Sequence, residues 1–131
     1  MKGPAYNPKG KDREQLHISE TSLGAYQHFM LSGKLTYGND GKAKEWLGRL
    51  VKPCEGYILD LTELTLIDST GLGVLIYFKK SFDKGEGRLV VILRDELMKE
   101  LAAIAKLHLV VSLCSDLEEA VRLLDSKRQE E

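Results

Sequence analysis

The chain has 131 residues, 43% of them apolar, which is enough for one core and sets the expectation of a single domain. Its 19 basic and 20 acidic residues leave a formal charge of -1, so there is no broad cationic field to hold nucleic acid or an anionic membrane. No stretch approaches the ~18 apolar residues of a membrane span and residues 1–13 lack the apolar core of a signal peptide, so a cytoplasmic protein is expected.

Gly3, Pro4, Pro8 and Gly10 stand among Lys2, Lys9, Lys11 and Arg13, a composition that buries little. Residues 1–13 therefore read as a flexible arm, 14–126 as the folded domain and 127–131 as a frayed tail. Residues 16–19 and 25–31, separated by a turn-prone 21–24, predict an N-terminal hairpin. Asn39 and Asp40 are placed to cap a helix whose apolar positions Ala43, Trp46, Leu47, Leu50 and Val51 recur at helical spacing, and Pro53 ends it. Trp46 is expected to pack this helix on the sheet. The runs 57–61, 88–93 and 108–113 are short and apolar, as buried parallel strands are. Helices are predicted between them, over 70–84 and 95–106, which makes two successive strand-helix-strand units. Ser115, Asp116, Leu117 and Glu118 form a capping-box pattern that opens a closing helix with the stripe Leu117, Ala120, Val121 and Leu124. The expected fold is α/β, with a mixed sheet whose N-terminal hairpin is antiparallel and whose second half is parallel.

The stretch from Leu59 to Gly73 passes from a buried strand, through a short extended loop, into a helix. Asp68, Ser69 and Thr70 concentrate at that helix start, where their oxygens can accept bonds from unpaired backbone N–H groups, and Gly71 and Gly73 permit close approach of the backbone. Spacing alone makes this a capped helix. The helix that follows is apolar almost all round, with Leu72, Val74, Leu75, Ile76, Tyr77 and Phe78, whereas one stripe suffices to face a sheet. If Val74 and Phe78 project outward, they form a docking patch with the 68–71 loop; otherwise a neighbouring element covers them.

Asp68-Ser69-Thr70-Gly71-Leu72-Gly73, preceded by Leu59-Asp60-Leu61 and the pair Leu66-Ile67, resembles the signature of the STAS family of anti-sigma factor antagonists, and the likeness in element order extends over about 14–125. The resemblance implies a bacterial protein whose Ser69 is phosphorylated by a partner that is both an ATP-binding serine kinase and the anti-sigma factor. It further implies that the unphosphorylated form binds that kinase and frees the sigma factor, that phosphorylation blocks binding, and that a serine phosphatase resets the switch. Asp68, Ser69, Thr70, Gly71, Leu72, Gly73 and Val74 would then meet the partner. Thr36 joins them, standing in Gly33-Lys34-Leu35-Thr36 where many members carry an acidic residue. The implied module is not an enzyme. A phosphate on Ser69 would add about -1.5 to -2 charge at a helix N-terminus beside Asp68, blocking a partner with little unfolding.

Other chemistries fit less well. A nucleophile elbow requires glycine two residues before the serine, and Ile67 is there. His17, His28 and His108 fall in predicted strands, and Gly10-Lys11 and Gly33-Lys34 lack the earlier glycine of a phosphate loop. Asp60, Glu63 and Asp68 show no metal-ligand spacing, and Cys54 and Cys114 suit neither a zinc site nor a disulfide framework, so neither metal nor cofactor is expected. The alternative function is a STAS-like sensor of a small ligand or nucleotide, or a scaffold subunit of a stress-signalling assembly.

Overall fold

The structure is a computed structural model and describes residue 5, residues 15–81 and residues 88–129, with side chains described as far as 126. The arm expected over 1–13, residue 5 apart, and the last residues of the helix expected over 70–84 lie outside the described residues, as do 130–131. Five strands and four α-helices follow one another: β1 (His17–Leu23), β2 (Tyr26–Leu35), α1 (Asp40–Leu50), β3 (Gly56–Ile67), α2 (Ser69–Ser81), β4 (Arg88–Ile92), α3 (Glu96–Ile104), β5 (Ser112–Cys114) and α4 (Leu117–Gln129). The last helix thus runs on through residues expected to fray.

The strands lie side by side in chain order, β1 antiparallel to β2 and the other pairs parallel. Every parallel pair is joined through a helix, so there are three strand-helix-strand units and not two. The expected two missed the first because the second strand was ended at Leu31. It continues to Leu35 through two register irregularities, one of them beside Gly33, whose φ of 87° few side chains tolerate. This extension pairs with the far half of β3, so residues 62–67, expected to be loop, are strand.

Period-2 alternation divides the sheet's two faces. Phe29, Leu31, Leu59, Leu61, Leu89 and Val91 point to a core closed by Ala43, Leu47 and Leu50 of α1, Val74, Leu75 and Phe78 of α2, and Met98 and Ala102 of α3. The opposite face carries a smaller cluster, Tyr26, Ile58, Val90, Ile92 and Cys114, covered by Ala120 and Leu124 of α4. The Tyr26 hydroxyl donates to the Asp125 carboxylate and ties α4 to the start of β2.

Two local expectations are corrected and one open alternative is decided. Asn39 stands at the N-cap of α1, but its side chain turns back, accepting from Thr36 N (3.0 Å) and donating to Lys34 O (2.8 Å); it secures the turn after β2 and makes no cap hydrogen bond. The strand expected over 108–113 is a 3₁₀ turn, Leu107–Leu109, followed by the three-residue β5. Lys106 adopts a left-handed conformation (φ 56°) that closes α3, and the side chains that turn inward are Leu107, Val111 and Cys114, a spacing with no strand alternation. Val74 and Phe78 do not project outward: both are buried, and Phe78 meets Phe29 edge to face at 5.6 Å between ring centroids. Trp46 packs partly buried against the core, with Arg49 over its ring.

Phe78→Ala is expected to cost about 3–5 kcal/mol of unfolding free energy in a denaturant titration, because it empties a packed site. Tyr77→Ala, on the exposed side of the same helix, is expected to stay within about 1 kcal/mol of wild type in that titration.

Candidate functional site

The site forms where β3 gives way to α2. Asp68 is the N-cap of the helix: one carboxylate oxygen accepts from Gly71 N (2.9 Å), three residues on, as an N-cap acceptor should. The other accepts from Tyr37 N (3.0 Å) in the loop after β2, and Asp68 N reaches back to Leu35 O (3.4 Å). One side chain thereby joins two chain segments 31 positions apart. Partial burial works to raise the Asp68 carboxyl, but the backbone N–H groups of Tyr37, Gly71 and Thr70 outweigh it and hold the group below the ordinary carboxylate range.

Ser69 is the first helical residue, exposed, and its hydroxyl has no hydrogen-bond partner among the described residues. Thr70 is half-buried, and Gly71 is buried against the end of β2, where an added Cβ would lie 2.1 Å from Leu35 O. Leu72 and Val74 are buried, so neither is presented to a partner; in their place the structure exposes Ser69, Gly73 and Tyr77, spaced i, i+4 and i+8 on one stripe. Tyr77 is 51% exposed, with Lys44 of α1 over its ring at 4.9 Å. Tyr37, 84% exposed, and the exposed Leu66 flank the same junction, one held by the bond to Asp68 and the other two residues before it. Thr36 is half-buried in that loop, next to Tyr37. Of the expected surface, the structure thus brings Thr36, Asp68, Ser69, Thr70 and Gly73 together on one outer side, and assigns Gly71, Leu72 and Val74 to packing. Tyr37 and Tyr77 went unread because an exposed tyrosine leaves no periodic signal; only the turn chemistry of Gly38 (φ 108°) marked the loop.

A second polar arrangement lies on the sheet. His28 of β2 meets Asp60 of β3, Nε2 to Oδ2 at 2.8 Å, and the other Asp60 oxygen accepts from Thr62 N (3.0 Å) and Thr62 Oγ1 (2.8 Å). Burial pushes the Asp60 carboxyl up, but the hydrogen bonds from His28 and Thr62 prevail and it titrates below its usual value. The residues are on the face that α4 only partly covers, and sequence could not pair them because their register is a tertiary fact. Among the described residues no group of three or more His, Cys, Asp or Glu could hold a metal ion. Burial pushes the Cys114 thiol up to about 11, so it is neutral and a poor nucleophile near pH 7. A cavity of about 190 Å³ at the carboxyl ends of β4 and β5, lined by Leu93, Lys99, Leu113, Cys114 and Ser115, is smaller than the roughly 300–1,000 Å³ of small-molecule pockets. Among the described residues no helix is long and apolar enough to cross a membrane.

Residues 23–120 match the family model of the STAS domain. No curated protein matches the chain significantly. Among solved structures, an anti-sigma factor antagonist from Mycobacterium paratuberculosis is similar with a TM-score of 0.79 and 16% identity, over 86% of this chain and 96% of that one. A serine-to-glutamate variant of RsbS from Moorella thermoacetica superposes with a TM-score of 0.71 and 13% identity, over 86% and 97%. The phosphorylated form of the Bacillus cell fate determinant SpoIIAA gives a TM-score of 0.55 and 14% identity, over 81% and 98%.

Two outcomes test this geometry. Gly71→Ala is expected to destabilise by about 3 kcal/mol or more, since backbone blocks the new methyl, while Gly73→Ala, with open space around it, is expected to stabilise by up to about 1 kcal/mol; thermal melts compare the two. Because the folded carboxyls of Asp60 and Asp68 titrate below the ordinary value of 3.8, the stability they contribute is complete above it and is lost as the pH falls through their lower folded values. The melting temperature of Asp68→Asn is therefore expected to fall less than that of wild type between about pH 6 and about pH 3.

Proposed function

The chain belongs to the STAS domain family, and on that premise we propose that it is an anti-sigma factor antagonist whose docking to an anti-sigma factor kinase is switched at Ser69. The observation that carries this reading is an exposed serine hydroxyl, without a hydrogen-bond partner among the described residues, at the first position of a helix whose N-cap carboxylate already accepts from Gly71 N.

The chemistry follows from that occupancy. A phosphate at a free helix N-terminus would be drawn onto the backbone N–H groups. Here Asp68 accepts from Gly71 N and is held from the other side by Tyr37 N, so a phosphate on Ser69 meets a fixed negative charge and stays turned to solvent. The fold tolerates the modification, since Ser69 carries no packing, while the outer surface gains about -1.5 to -2 charge. A partner that fits Ser69, Gly73 and the rings of Tyr37 and Tyr77 then faces an unpaired doubled charge, which weakens binding through like-charge and desolvation costs. In the proposed cycle the unphosphorylated form holds the ATP-binding kinase and frees the sigma factor, and a serine phosphatase restores it. Thr36 offers a neutral hydroxyl beside the switch where an acidic residue is common among such proteins, and this bears on which kinase the surface accepts. The sensor alternative draws no support from the small cavity at β4 and β5.

The test uses wild type, Ser69→Asp and Ser69→Ala immobilised and exposed to a lysate of the organism that makes the protein, with ADP or ATP. Wild type is expected to retain an ATP-binding kinase that phosphorylates it and leaves Ser69→Ala unmodified. Ser69→Asp is expected to bind that kinase at least about tenfold more weakly. Equal retention by all three, or phosphate on a different residue, overturns the assignment of Ser69.

A further inference from the structure

β1 is one edge of the sheet: it pairs with β2 alone, while the opposite edge, β5, is only three residues long. It runs for seven residues in unbroken antiparallel register and contains no proline, glycine, lysine or arginine. The turn Gly24-Ala25, with Gly24 at φ 61°, closes on the pair Leu23 and Tyr26, as a two-residue hairpin does. Bonds to β2 therefore fall at Leu23, Thr21, Ser19 and His17. The backbone N–H and C=O groups of Ser22, Glu20 and Ile18 point to the open side, without a partner among the described residues. Glu20 is 2% exposed, on the same face as Ile18, and its carboxylate has neither hydrogen bond nor ion pair among the described residues. A charge so placed lacks the partner that burial ordinarily requires.

We infer that β1 is a docking edge for an extended segment of another protein, which adds as an antiparallel sixth strand and sets a lysine or arginine opposite Glu20. The added strand bonds the outward groups of Ile18, Glu20 and Ser22, and its cation completes the buried carboxylate. Glu20 decides the occupant. An inward charge on an edge strand rejects any neighbour that brings no counter-charge, so the same residue guards the edge and selects what fills it. β1 carries no basic residue, so two copies pairing edge to edge leave both carboxylates unmatched and, at full overlap, set them opposite each other. Residues 1–13 of the same chain carry Pro4 and Pro8, which cannot donate to a ladder. No residue assigned to the switch lies on β1, so this surface is separate from the one proposed to meet the kinase.

The probe is the end-blocked peptide Thr-Val-Thr-Lys-Thr-Val-Thr, added to the full chain while amide hydrogen exchange is followed by NMR. The amides of Ile18, Glu20 and Ser22 are expected to exchange fast in the free chain and to slow by about tenfold or more at saturating peptide, with those of Ser19 and Thr21 little changed. Glu20→Gln is expected to bind this peptide about tenfold more weakly with no fall in melting temperature, and to bind a peptide with glutamine in place of the central lysine as well as wild type does. Ser22→Pro removes an outward N–H and no bond to β2, and is expected to weaken the peptide by about tenfold in an otherwise unchanged spectrum. No slowing at the three amides, or equal affinity for a peptide with a central glutamate, overturns the proposal. Protection of those amides in the free chain also overturns it, giving the edge to the chain's own N-terminal segment if independent of concentration and to a second copy if it grows with concentration.

Discussion

The close approach of α2 to the end of β2 is the constraint on which the rest of the molecule depends. Gly71 lies where any Cβ would come within 2.1 Å of Leu35 O, and the Asp68 carboxylate bridges Tyr37 N on one side and Gly71 N on the other. Glycine allows the contact and aspartate directs it. Together they determine where α2 starts, and with it that Ser69 faces outward while Leu72, Leu75 and Phe78 face in.

The same junction explains the length of β2 and β3. For the helix to begin against Leu35, β3 must run alongside β2 to Ile67, and the chain accommodates the long parallel pairing through irregularities near Ser32 and Gly33. Buried polar groups are satisfied within this frame. Gln27 donates to Leu50 O (3.0 Å) and accepts from Lys52 N (2.8 Å), closing the carboxyl end of α1, while Asp60 takes His28 on one oxygen and Thr62 on the other. An unpaired group at either position would cost about 1–3 kcal/mol, so these bonds oppose sliding of the strands.

The division of labour at the helix start has a functional consequence. Asp68 completes the cap, and Ser69 beside it is exposed, its hydroxyl without a hydrogen-bond partner among the described residues. The capped helix and the proposed switch are therefore compatible, because they belong to adjacent residues. α3 shows a comparable separation, with Met98, Ala102 and the half-buried Leu101 packed on the core and Leu97 and Ile104 left outside.

What the sequence by itself determined is the order of elements, the hairpin, the mixed sheet and the capped helix start at Asp68 and Ser69. These rest on local signals: period-2 and period-3.6 spacing, turn residues, and small polar residues ahead of an apolar run. Tertiary structure alone decided which sides of α2 are covered, since a helix apolar all round carries no stripe to orient it, and so Val74 and Phe78 went inward while Tyr77 stayed out. It also decided that 62–67 is strand and 108–113 mostly is not, because short apolar runs take their form from the neighbour they pair with. The His28 and Asp60 pair, and the tie from Tyr37 to Asp68, exist only through register between segments far apart in the chain, a quantity that no local pattern encodes.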